Sequence, residues 1–121
     1  PSEHPLFGVK RLLELTKFTK EQLNETLVIG TGFTWLRQFG AFAAAGMVKE
    51  EWTDLAGFGR QAFAYPDFVN DIFINGKIDK SRVCISCSKC AELKASKKKA
   101  GCVIRDQEIY LPIYKKLKKG N

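Results

Sequence analysis

The chain has 121 residues, 45% of them apolar, and a formal net charge of +7. That length allows one domain or part of one with a real core, and no apolar run is long enough to span a membrane. The first residue is Pro1 rather than methionine, which hints at a processed chain or a fragment. The charge is uneven. Residues 1–76 hold 7 Lys/Arg and 9 Asp/Glu, a balance of −2, whereas residues 77–121 hold 13 and 4, a balance of +9.

In chain order, residues 9–24 read as an amphipathic helix. Val9, Leu12, Leu13 and Thr16 lie on one face, widened by Leu15, Phe18 and Leu23, and Asn24 closes it. The only histidine, His4, lies in a proline-flanked stretch and reads as a surface residue. Leu27-Val28-Ile29-Gly30 is a continuous apolar run that suits a strand buried on both faces, as in a parallel sheet. Gly30-Thr31-Gly32 follows where the chain must turn. Thr34 is a plausible N-cap for a second helix, on which Leu36, Phe39, Ala43 and Met47 recur and which Gly46 ends.

Leu55-Ala56-Gly57-Phe58 reads as a second buried strand, ended by Gly59-Arg60. Gln61-Ala62-Phe63-Ala64 suits a single helical turn. Pro66 fits the first turn of a further helix with Asp67 near its positive end, and Asn75-Gly76 stops it. The order is α–β–α–β–α. The two strands begin at residues 27 and 55, close to the roughly 30 residues per unit of a (β/α)8 barrel. The expected fold is therefore α/β. Residues 1–76 form the C-terminal portion of a TIM barrel, about its last two βα units, and residues 77–121 form a cysteine loop and a basic tail.

All four cysteines fall in that second part, at Cys84, Cys87, Cys90 and Cys102, with the spacing C-x2-C-x2-C-x11-C. Three thiols on successive turns of a tight loop, joined by a fourth from farther along, can wrap one small inorganic body. Cuboidal iron–sulfur clusters are held by four such thiolates. Structural zinc sites usually take two separated pairs, so the spacing favours a [4Fe–4S] cluster over zinc. A disulfide framework is disfavoured, since no signal peptide precedes the motif and no other cysteine occurs. The lysines around the motif would offset an anionic thiolate centre, or are simply solvated. Their runs, Lys97-Lys98-Lys99 and Lys115-Lys116, lack the interleaved aromatics of a single-strand-binding surface, so no nucleic acid is expected.

Both strands end in glycine, and the second adds Arg60. In parallel α/β folds, ligands lie beyond the carboxyl ends of strands. Glycine lets backbone N–H groups approach an anion, and arginine adds a charge-assisted fork to phosphate. The residues Val28-Ile29-Gly30-Thr31-Gly32-Phe33, then Asp54-Leu55-Ala56-Gly57-Phe58-Gly59-Arg60 and Tyr65-Pro66-Asp67-Phe68, together resemble the end of the Old Yellow Enzyme family of NADH:flavin oxidoreductases. The resemblance covers roughly residues 25–105. It implies that residues 27–31 and 55–58 are like the seventh and eighth strands of an FMN-binding barrel. It also implies that Gly32, Gly59 and Arg60 hold the FMN phosphate and that Phe63 lies near the flavin ring.

Cys84-Ile85-Ser86-Cys87-Ser88-Lys89-Cys90 followed by Cys102 is similar to the cluster motif of one branch of that family, the 2,4-dienoyl-CoA reductases and trimethylamine dehydrogenase. That likeness implies a [4Fe–4S] cluster exchanging electrons with FMN, NAD(P)H as the electron source, and an enone or enoyl substrate in the cytoplasm. The family's substrate-binding and proton-donating residues lie on earlier strands, so none is identified here. The chain is expected to be inactive alone and not to be a stable monomer. Its partner is then the remainder of the barrel or a second copy. The alternative is a zinc-stabilised interaction module with a basic tail.

Overall fold

The computed structural model describes residues 3–23 and 25–120. Helix makes up 59% of the described residues. The elements run α1 (Pro5–Gln22), β1 (Ile29–Gly30), a 3-10 segment (Phe33–Phe39), α2 (Gly40–Lys49), β2 (Leu55–Ala56), α3 (Gly59–Ala64), α4 (Phe68–Asn75), α5 (Lys89–Ala95) and α6 (Gln107–Lys119). His4 caps α1: its Nδ1 accepts from Leu6 N–H at 3.3 Å, and Pro5 occupies the first helical position, where no N–H is needed. The helix ends at Gln22; the expected stop at Asn24 lies outside the described residues.

The expected barrel portion is not what the chain forms. The two strands pair in parallel, Ile29 with Leu55 and Gly30 with Ala56, and among the described residues they make a two-stranded sheet of two residues each. Barrel closure needs a neighbour on both sides of every strand, and no such sheet is present among the described residues. The flanking side chains explain the short ladder. Asp54 Oδ2 takes the N–H of Val28 at 2.7 Å, and Thr53 Oγ takes that of Gly30 at 2.7 Å. Thr53, 1% exposed, also reaches the carbonyls of Val28 and Leu55. The apolar runs taken as strands buried on both faces are half in solvent, with Leu27, Ile29 and Leu55 all exposed.

The second expected helix also differs. Gly32, left-handed at φ +102°, starts a 3-10 segment in which Thr34 is buried rather than capping. Arg37, at φ 51° and ψ −125°, kinks this segment into α2. Gly46 does not end α2, which runs through it to Lys49. The stop at Gly76 agrees with expectation: its left-handed backbone sends its N–H to Ile72 O at 2.8 Å.

Two apolar clusters hold these elements together. Phe33, Ala44 and Met47 form one, and Tyr65, Phe68, Ile78 and Val83 form the other. Phe58 packs against both, its ring 5.4 Å from Phe33 and 5.1 Å from Phe68. The second cluster draws on residues either side of Gly76, so the cysteine region is built onto α3 and α4. The basic end of the chain is ordered into α5 and α6, which pack on each other. Leu93 of α5 is fully buried, and Tyr114 of α6 donates to Glu92 at 3.0 Å while Lys118 pairs with it at 2.6 Å. No helix among the described residues is long and apolar enough to cross a membrane.

Candidate metal centre

The cysteine segment leaves the second apolar cluster at Val83 and turns back on itself before α5. Ser86 and Ser88 both adopt left-handed backbone, at φ 58° and 61°. Left-handed residues in such loops turn backbone N–H groups toward a common point, a geometry found at phosphate and iron–sulfur sites. Ser86 N–H lies 3.4 Å from Cys84 Sγ, and Arg105 N–H lies 3.3 Å from Cys102 Sγ.

The four thiols are free. Cys84 is buried, Cys87 exposed, and Cys90 and Cys102 half-buried. All four line one narrow crevice, only about 10 Å³ in volume, together with Arg60 and Phe63. Six of the residues singled out in the sequence are thus brought to one place. Arg105, which the sequence reading missed, also lines the crevice and donates from Nη2 to Val83 O at 3.1 Å. Burial pushes the Cys90 thiol up, and the neighbouring Cys84 and Cys87 push it further. The Ala91 N–H and the Arg60 guanidinium pull it the other way.

The remaining two residues, Gly32 and Gly59, lie at the carboxyl end of the sheet. Parallel pairing brings both strand exits to the same side, where Gly57 N–H donates to Gly30 O at 2.7 Å. Gly59 opens α3 with no atom within 4 Å of where a Cβ would stand. At Gly32 a Cβ would come within 2.7 Å of Leu12 Cδ2, so α1 packs closely there. Arg60 spans the two regions. Its guanidinium lies 5.5 Å from the Trp35 ring and its Nη1 donates to Ser88 Oγ at 3.4 Å.

By residue type the lining suits a thiolate-bound metal body: four cysteines border one space, no carboxylate lines it, and Arg60 and Arg105 stand beside it. Among the described residues, no three His, Cys, Asp or Glu side chains are gathered tightly enough to hold a single ion; the thiols border the crevice without meeting at one point. For FMN the fit is partial. Gly59 leaves backbone free to approach an anion, while Arg60 is turned toward the cysteine loop.

Gln61 was also missed as a site residue. It is 1% exposed, and its Oε1 accepts from Cys84 N–H at 3.0 Å. The available signal was a lone amide in the apolar stretch Ala62-Phe63-Ala64-Tyr65. Compared with models of protein families, with curated proteins and with solved structures, the chain matches none.

Proposed function

We propose that this chain is the cluster-bearing part of an FMN- and iron–sulfur-dependent NAD(P)H oxidoreductase that reduces activated C=C bonds of an enone or enoyl substrate. One observation carries the reading: Cys84, Cys87, Cys90 and Cys102 line a single crevice that Arg60 and Phe63 also border. The four thiolates would hold a [4Fe–4S] cluster. Gly32, Gly59 and Arg60 would hold the FMN phosphate, and Phe63 would lie toward the flavin. When bound, FMN supplies hydride chemistry and the cluster one-electron transfer.

The chain's own residues bind and orient. Arg60 and Arg105 offset the charge of the thiolates, and the backbone N–H groups of Ser86 and Arg105 offer hydrogen bonds to sulfur. Such bonds are among the influences that set a cluster's potential. No acid–base group for the substrate is assigned on this chain, so catalysis requires a partner that supplies it. That partner is the rest of the oxidoreductase or a second copy.

The test is anaerobic reconstitution of the full chain with iron and sulfide, followed by metal analysis and a visible spectrum. Broad absorbance near roughly 400 nm with iron and sulfide in equal amounts is expected, and serine at any one of the four cysteines should abolish most of it. One colourless zinc per chain would instead make it a zinc-stabilised interaction module.

A further inference from the structure

Gln61 is one of three buried polar residues among the described residues, with Thr34 and Thr53. It sits on α3, directly after Arg60, and is 1% exposed. Its Oε1 accepts the backbone N–H of Cys84 at 3.0 Å across 23 residues of chain. The donor fixes the orientation of the amide, because an N–H needs the carbonyl oxygen opposite it. The NH2 group is therefore committed elsewhere, and among the described residues Nε2 is buried with no hydrogen-bond partner. Ser86 Oγ, two residues beyond Cys84, and the Tyr65 hydroxyl at the end of α3 are buried and unpartnered too.

A buried donor without an acceptor is costly and uncommon in a finished fold. Two of them beside the same thiol loop point to acceptors that the polypeptide does not provide. Thiolate and sulfide sulfurs are acceptors of that kind.

We propose that Gln61 is the positioning residue of the cysteine site: its carbonyl pins Cys84 to α3, and its amide NH2 is held ready for an acceptor brought by the bound metal body. This rests on the metal-binding reading above and extends it. α3 carries Arg60 and Phe63, so Gln61 also fixes the distance between those residues and the first thiol. This amide and the Arg60–Ser88 contact are the polar links from α3 to the cysteine loop among the described residues.

The experiment compares the full-length wild type with Gln61→Met, which loses both functions, and Gln61→Glu, which keeps the acceptor and loses the NH2. Two measurements are made. The first is the alkylation rate of Cys84 relative to Cys102 in the metal-free protein, read by mass spectrometry. The second is the iron retained under a chelator after anaerobic reconstitution, together with the reduction potential.

Gln61→Met should raise Cys84 alkylation about tenfold, the scale of one lost buried hydrogen bond, with Cys102 unchanged and iron retention reduced. Gln61→Glu should restore the slow alkylation and bind iron, with a lower potential than wild type. A merely structural role would speed all four thiols together and leave the potential unmoved. If Gln61→Met is too unstable to purify, the Gln61→Glu potential decides alone, and a value equal to wild type overturns the role of the NH2. Wild type that binds iron alongside variants that match it would overturn this proposal only. A wild type that binds no iron under these conditions would overturn the metal-binding reading, and this proposal with it.

Discussion

Arg60 Nη1 donates to Ser88 Oγ at 3.4 Å, so an arginine at the exit of one strand rests on the loop that carries three of the four thiols. Ser88 is left-handed at φ 61°, and that turn presents its hydroxyl to the guanidinium. Arg60→Ala should weaken retention of bound iron about twofold, the scale of one partly exposed charged contact. Chelator competition on the reconstituted protein measures it, and Arg60→Lys should recover part of the loss.

Two glycines predict opposite effects of the same substitution. Gly101 is buried next to Cys102, and a Cβ there would run into the Tyr110 ring of α6. Gly101→Ala should destabilise by about 1–3 kcal/mol, as overpacking does. Gly46 lies exposed inside α2 with nothing near its Cβ position. Gly46→Ala should stabilise by about 0.5–1 kcal/mol through helix propensity. Urea midpoints of the two variants give the comparison.

Phe58 is the residue through which the two apolar clusters touch. Phe58→Ala should cost about 3 kcal/mol and split a single unfolding transition into two, visible as non-coincident fluorescence and far-UV dichroism curves.

Asp54 gives the chain an acid sensitivity. Hydrogen bonding from Val28 N–H, then from Lys20 at 2.9 Å, holds its carboxyl below the ordinary range. A group whose pKa is depressed by folding adds stability above its unfolded value, about 3.9 for aspartate. It loses that contribution as pH falls through the folded value. Asp54→Asn should therefore reduce stability at neutral pH and narrow the gap to wild type near pH 3. Urea unfolding at both pH values checks the sign.

Large apolar side chains stand in solvent at several places: Phe73 is 83% exposed, Ile74 78% and Leu27 68%. Exposed apolar surface on this scale marks contact sites. Size-exclusion with light scattering should give a mass above one chain, and a monomer at high micromolar concentration would remove the argument for a partner there.

The positions of both strands were legible because each apolar run ends in glycine. Their extent was not, because Thr53 and Asp54 occupy the ladder from the side, a tertiary arrangement that no local pattern reports. The basic end hid two helices for a different reason. Its lysines signal solvent, and Pro112 lies inside α6, where proline ordinarily argues against a helix. The seam between α5 and α6 rests on Glu92, Tyr114 and Lys118, which are far apart in sequence. The thiol motif was legible from spacing alone. Gln61 and Arg105 were not, since their link to the thiols runs through backbone groups of Cys84 and Val83. Arg60 could be read as a strand-end residue, but its leaning on Ser88 could not.

The crevice also has an order of assembly. Arg60 and the thiols Cys84, Cys87 and Cys90 emerge from the ribosome well before Cys102, and the wall that Cys102 completes needs α5 to have folded back first. For that interval the growing chain displays three thiols without their fourth, open to oxidants and to stray metals. The first three thiols thus share the crevice with Cys102 only once α5 has folded, so the integrity of that helix decides whether the four stand together.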